Sequence, residues 1–421
     1  MARPTGLVDH RNRAEVLAEL HARPVDPVNS PARIRRVAVA FDRAPDIAEL
    51  FMGDFALWCD QNNIDPPVPN ARYHRFDVQN LHVTWELHTE FVTLTWVAGP
   101  KDDDFWPGGI GLSAIGRGTM VSATMIEVLS DNSISQSRLD SYSKPSLCFS
   151  RIDKGDAQVA TDFVADENGF TQFVLSANKN VDDHRLGTIV RRLLEIETYR
   201  TFTLLGLPHA RQVAPTLATL ERELGHLVEV MGETGSQEEG EQHLAKLHAL
   251  ALQLNKTIER TDYRFSASHA YGDILNRRLV RLGEQTSPGF LKLERYLGNR
   301  IEPALATCLA IEKRQKDLGQ KLERVTEFLN TRIGLGVQLQ NMQVMDRISK
   351  TGQSQYRLQR TVEGLSVIAI SYYAIGIAGY LLNGLAETYS FSKPLVTAVL
   401  VPLIIGLVWY GIRRVTKMHS K

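Results

Sequence analysis

The strongest apolar signal in the chain lies at its far end. Leu365 to Leu385 and Leu395 to Ile412 contain no Asp, Glu, Lys, Arg or His, and each is about long enough to cross a bilayer as a helix. The pattern therefore predicts a C-terminal membrane hairpin. Upstream, up to about residue 182, the hydrophobic period switches between two and three-to-four. A short helix is expected at Ala14 to Leu20, ending near Pro24, and a strand at Ile34 to Phe41. Ile47, Leu50, Phe51, Phe55 and Trp58 give Ile47 to Gln61 helical spacing. Leu81 to Leu87 and Phe91 to Val97 read as a β-hairpin, rich in β-branched and aromatic residues. Further strands are expected at Met120 to Leu129, Ser146 to Ile152, Val159 to Val164 and Phe170 to Leu175. The turn Asp166-Glu167-Asn168-Gly169 joins the last two.

Beyond residue 183 the texture turns helical. Leu186, Ile189, Leu193 and Ile196 step by three and four, as do Leu217, Leu220, Leu224 and Leu227, then Leu247, Ala251, Leu254 and Ile258. The stretch Gly232 to Ser236 separates the second series from the third and predicts a helical hairpin. Two more long segments are expected, Asp262 to Leu282 and Phe290 to about Leu329, with Leu318, Leu322, Val325 and Leu329 forming a seam between helices. A largely polar stalk, Gln338 to Arg360, leads to the first span, with a joint expected at Gly334 and Gly336. The fold class is thus an α+β cytoplasmic domain (1–182), a long-helix domain and stalk (183–364), a two-helix transmembrane hairpin (365–412) and a basic tail (413–421).

Charge sets the orientation. Arg357 and Arg360 precede the first span and Arg413, Arg414 and Lys417 follow the second, whereas the connection carries only Glu387 and Lys393. The positive-inside rule places both termini in the cytoplasm. Lys+Arg and Asp+Glu balance at 48 each, which leaves no basic excess for a phosphate backbone and argues against nucleic acid as a partner. Cys59, Cys148 and Cys308 are widely spaced and odd in number, the pattern of reduced core thiols rather than a disulfide framework or a zinc site. The N-terminal segment has arginines but no apolar stretch of the kind a signal peptide needs.

Several constellations invite a chemical reading. His82, Glu86, His88 and Glu90 share one parity, so a straight strand would put two imidazoles and two carboxylates on one face, as a weak metal site, as a solvated sheet face, or as a network tying the hairpin to a neighbouring helix. Asp102, Asp103 and Asp104 supply oxygen ligands for Mg²⁺ or Ca²⁺, or simply an exposed turn. Gly109, Gly111 and Ala114 match the spacing of a dinucleotide-binding loop, but a Pro-Gly turn precedes them where that loop needs a strand. No phosphate loop and no nucleophile elbow occurs, and no enzymatic activity is read from the chain. In the first span, Tyr372, Gly376, Gly379 and Asn383 recur at four, three and four, with Ser371 and Tyr380 beside them. Such a stripe is poorly suited to lipid and should face another helix or line a pore.

Certain local sequences carry a resemblance across nearly the whole chain. Glu19-Leu-His-Ala-Arg-Pro24, His88-Thr-Glu-Phe91, Glu195-Ile-Glu-Thr-Tyr-Arg200, Leu207-Pro208, Pro303-Ala304, Thr307-Cys308 and Thr361 to Ser366 leading into Ile370 to Tyr373 resemble the bacterial membrane-anchored proteins of the domain-of-unknown-function 3422 family. That resemblance implies architecture and an inner-membrane location, and no chemistry. The topology is also similar to the CorA-type magnesium channels, which are pentamers with a Tyr-Gly-Met-Asn motif at the outer end of the first span. Here Tyr380-Leu-Leu-Asn383 keeps only the Tyr and the Asn. By that resemblance the chain is a homo-oligomer that conducts or senses a divalent cation such as Mg²⁺, with Asn383 holding the ion's water shell and the outer-loop acid Glu387 raising local cation concentration. The alternative is a membrane-anchored scaffold that holds an unidentified cytoplasmic protein and conducts nothing. Reporters fused before Met1 and after Lys421 should both give cytoplasmic signals, and periplasmic activity at either end would refute the orientation.

Overall fold

A computed structural model describes residues 9–13, 24–41, 46–68, 71–232, 236–386 and 392–419. The expected helix at Ala14 to Leu20 and the acid Glu387 lie outside the described residues. The chain forms two compact units, one of residues 1–233 with 245–324, the other of residues 234–244 with 325–421. The change of texture near residue 182 falls inside the first.

The first unit is organised by a nine-stranded mixed sheet. Its strands are β1 (Ala32–Ala40), β2 (Tyr73–Val78), β3 (Leu81–Leu87), β4 (Phe91–Ala98), β5 (Thr119–Val128), β6 (Cys148–Ile152), β7 (Ala157–Thr161), β8 (Thr171–Ala177) and the two-residue β9 (Gln285–Thr286). They lie in the order β2-β3-β4-β1-β5-β8-β7-β6-β9. β5 and β8 run parallel and the other neighbours antiparallel. The strands expected from alternation are present, and β3 pairs with β4 as a hairpin. β2 and β9 carry too little apolar signal to be read from sequence.

Both faces of the sheet are covered, which is why its central strands read as nearly continuous apolar runs. On one side, Val37 and Val39 of β1 pack with Phe51, Phe55 and Trp58 of α1 (Ile47–Gln61). The Phe55 ring stacks on Trp85 at 4.6 Å. Between β5 and β6 lies only the single turn α2 (Gln136–Leu139). On the opposite face, Ile34 and Ala38 pack with Leu186, Ile189, Leu193 and Ile196 of α3 (Asp183–Leu204). The side chain of Asp182 caps that helix by accepting from Arg185 N at 2.8 Å.

Three long helices follow, α4 (Gly206–Met231), α5 (Gln237–Leu282) and α6 (Leu293–Ala386). Leu275 and Leu279 of α5 and Leu293, Leu297 and Ile301 of α6 join the core beneath α3. Farther along, Leu217, Leu220, Leu224, Leu254, Leu318 and Leu322 are buried at the expected spacing. Polar pairs cross-tie these helices: Arg314 Nη2 to Glu221 Oε2 at 2.7 Å and Gln315 Nε2 to Thr261 Oγ1 at 3.1 Å. The series ending at Ile258 and the segment from Asp262, read separately in the sequence, are one helix, α5, and Gly334 and Gly336 form no joint, because α6 runs through them as continuous helix.

The second unit contains the first turns of α5, the distal part of α6, and α7 (Lys393–His419). Leu329 is buried, and Ile333 comes close to Gly240, where a Cβ would meet it at 3.2 Å. Beyond this point the side chains of α6 are exposed as far as Val362. Two helical segments, one at the end of α6 and Pro394–Arg414 in α7, are long and apolar enough to cross a membrane. Only 6% and 0% of their apolar windows are buried within this chain, which is compatible with membrane spans.

One position in the first unit has no room for a side chain. A Cβ on Gly187 of α3 would sit 2.0 Å from the carbonyl oxygen of Asp26, in the segment that docks on α3 through Val28 N to Asp183 O at 3.0 Å. Gly187→Ala must displace backbone rather than a flexible side chain. It should lower stability by about 1–3 kcal/mol or more, despite alanine's better helix propensity, as read by denaturant unfolding.

Candidate functional site

Adjacent residues of a strand point to opposite faces, so Arg35 and Arg36 of β1 cannot both reach water in a sheet covered on both sides. Both are buried. On the α1 face, Arg35 Nη2 donates to Asp102 O at 2.8 Å and its guanidinium lies 4.8 Å from the centre of the Phe105 ring. Burial pushes its pKa below the ordinary arginine value. Asp102 O also accepts from Arg33 Nη1 at 3.0 Å, Asp103 Oδ1 accepts from the same nitrogen at 2.5 Å, and Asp104 Oδ1 accepts from Trp106 N at 3.0 Å. The acidic triplet is thus a turn tied to β1.

On the α3 face, Arg36 begins a buried ionic network. Its Nε donates to Thr95 Oγ1 at 2.7 Å and its Nη2 to Glu86 Oε2 at 3.2 Å. Thr93 Oγ1 donates to the same carboxylate at 3.3 Å. From α3, Arg191 Nη2 approaches Glu86 Oε1 at 3.7 Å, and Arg191 Nε donates to Glu195 Oε1 at 3.1 Å. Arg278 of α5 closes on the other oxygen of Glu195. These contacts tie β1, β3, α3 and α5 together through alternating charges. A small cavity beside them is lined by Asp26, Arg36, Tyr73, Thr84, Glu86 and Arg191, among others.

A second ion pair, of a buried carboxylate with a half-buried arginine, sits at the turn between β3 and β4. Arg264 of α5 grips Glu90 with both terminal nitrogens, at 3.1 and 2.5 Å. The Tyr271 hydroxyl hydrogen-bonds Glu90, and burial first, then the Glu90 charge, pushes that phenol well above the usual tyrosine range. The His88 ring stacks on Phe91 at 4.1 Å, Phe91 on Phe202 at 4.4 Å, and Tyr199 on Tyr271 at 5.7 Å. The sequence stretches His88 to Phe91 and Glu195 to Arg200 therefore both converge on α5.

The four residues expected on one strand face do not share it. β3 ends at Leu87, and residues 88–90 form the turn, so the parity is broken. His82 is exposed and pairs with Asp77 at 2.5 Å, Glu86 is in the first network, His88 lies 4.0 Å from Glu86, and Glu90 is held by Arg264. Among the described residues no group of three or more His, Cys, Asp or Glu side chains is placed to hold a metal ion. Gly109 and Gly111 have positive φ, and Gly111 lies against Phe55 and Trp58, where a Cβ would meet Trp58 at 3.4 Å. That loop packs on α1. All three cysteines are buried, and burial pushes the thiols of Cys59 and Cys308 up to about 11 and that of Cys148 to about 12.

In the second unit, Ser371 is buried and Ala374, Ile375, Ala378 and Leu382 are half-buried, whereas Tyr372, Gly376, Tyr380 and Asn383 are exposed. Gly379 is half-buried, and neither Gly376 nor Gly379 has a neighbour within 4 Å of where a Cβ would be. Apart from Gly379, the stripe lies on a different face of the helix from the shielded positions. At the other end of α7, Arg413 lies 4.8 Å from the Trp409 ring, an arrangement suited to a membrane–water interface.

An α/β unit with a mixed sheet, long helices and a terminal pair of exposed apolar helices defines the class. The chain belongs to the family described as Protein of unknown function (DUF3422), whose profile matches residues 8–419. No curated protein and no solved structure matches it. The buried carboxylates give the site its test. Glu86→Ala would leave Arg36 and Arg191 facing each other without their shared counter-ion, and should cost about 3–5 kcal/mol of stability. Asp77→Ala, at the exposed His82 pair, should stay within about 1 kcal/mol. Denaturant unfolding followed by tryptophan fluorescence would read both, since Trp85 lies next to Glu86 in β3.

Proposed function

We propose that the chain is a homo-oligomeric inner-membrane protein of CorA-like design that conducts or senses a divalent cation. Both spans cross the bacterial inner membrane and both termini lie in the cytoplasm. One observation carries this reading: the face of the first span bearing Tyr372, Gly376 and Asn383 is exposed, and a different face is shielded. Small and amide-bearing residues gain nothing from lipid contact, so this face meets other copies around an axis. A ring of Asn383 amides would hold the water shell of a cation such as Mg²⁺, which dehydrates reluctantly. Continuity of α6 from Leu293 to Ala386 also supports a CorA-like design, in which one helix contributes to the soluble unit and to the span.

Conduction is tested by flux into liposomes. Wild-type protein should admit Mg²⁺, Co²⁺ or Ni²⁺, and Asn383→Leu should abolish that flux while leaving assembly intact. Gly379→Leu should instead damage assembly, because it adds bulk where helices approach. Wild-type protein that passes none of the three ions would refute conduction and favour the membrane-anchored scaffold.

A further inference from the structure

The stripe in the first span does not begin at the membrane. Counting back from Gly379 and Tyr372 in sevens reaches Leu365, Leu358, Thr351, Val344 and Val337. The interleaved positions, back from Asn383, include Gly376, Val362, Gln355, Ile348 and Asn341. Together they form one unbroken three-four series along α6, within the second unit and in continuous helix. Val344 is 53%, Ile348 60%, Leu358 66%, Val362 54% and Leu365 63% exposed, so none of them is buried by the described residues. A groove between α6 and Ile412 of α7 borders one side of this series, lined by Leu358 and Val362 within it and by Gln359, Glu363 and Ser366 outside it.

From this we infer that residues 337–383 of α6 form a parallel, in-register coiled coil with a second copy of the same chain. The inference rests on the homo-oligomeric, membrane-anchored part of the proposed function and not on conduction. Three features select a second copy as the occupant. A strict seven-residue repeat drifts around a straight α-helix by about 20° per heptad, so it stays buried only against a partner of the same repeat that supercoils with it. Asn341, Gln355 and Asn383 fall at core positions of the repeat, where an amide is satisfied only by an amide at the same level of a parallel copy. Charge placement is also compatible with identical neighbours. Asp346, Lys350, Arg357, Arg360 and Glu363 all fall on the outer face, where Asp346 and Lys350 pair at 2.7 Å. In this stretch, Arg347 alone brings charge to the positions flanking the core. Anchoring of every copy in one bilayer enforces the parallel direction.

Single cysteines test the arrangement in the full chain, in native membranes. Cys59, Cys148 and Cys308 are buried, so an introduced surface thiol is the reactive one. Disulfide formation needs Cβ atoms about 4 Å apart. Val344→Cys, Ile348→Cys and Leu358→Cys should therefore form chain-to-chain disulfides on mild oxidation with copper phenanthroline, at least about ten-fold more than Asp346→Cys, Gln353→Cys and Arg360→Cys on the outer face. Mixed Val344→Cys and Leu358→Cys chains should give no cross-pair, because two heptads separate them by about 21 Å along the axis. Equal yields on both faces, no disulfide on the core face, or cross-linking to a different protein would each overturn the inference. An oligomeric mass without core-face disulfides would defeat the coiled coil and leave the proposed function standing. Core-face disulfides without cation flux would do the reverse.

Discussion

Exposed apolar surface on α6 and α7 is the constraint on which the rest of this molecule turns. From Leu365 onward the two helices present aliphatic and aromatic side chains outward, with 6% and 0% of their apolar windows buried. Soluble monomers rarely expose large contiguous apolar patches to water. A bilayer would satisfy most of it, since a helix closes its own backbone hydrogen bonds and needs only apolar surroundings. The glycine and asparagine face and the heptad series that leads into it are the parts lipid would not satisfy, and the proposed self-association rests on them.

In the α/β unit the opposite problem is solved by pairing. Arg36, Glu86, Arg191, Glu195 and Arg278 are brought together where β1, β3, α3 and α5 meet, and Glu90 is held by Arg264. Buried ions are costly unless each charge finds a geometrically good partner. Alternation of sign along this network supplies those partners and makes the docking of the helices on the sheet specific. All these carboxylates are engaged by guanidinium groups, so the network is a tie between elements.

Much of this was legible in the sequence. The three-four leucine series of α3 and α4 and the charge-free runs at the C-terminus need only local periodicity. So do α1 and the β3–β4 hairpin. The single parallel pairing of β5 with β8 was not legible, because it depends on a crossover through β6 and β7 that no local pattern encodes. The candidate metal face failed for a related reason: parity holds only while a strand lasts, and β3 stops at Leu87. Arg35 and Arg36 left a usable signal. Two adjacent arginines inside a strand, in a sheet buried on both faces, require at least one internal ion partner. The heptad series was masked by polar residues, since Asn341, Thr351 and Gln355 interrupt its apolar character without breaking its spacing.

Self-association in the membrane is the central claim, and the mass of the purified, detergent-solubilised full chain tests it most directly. Light scattering with the detergent contribution subtracted should give a whole-number multiple of 47.2 kDa greater than one. A stable 47.2 kDa monomer across the accessible concentration range, in mild detergent that preserves the fold, would contradict the account.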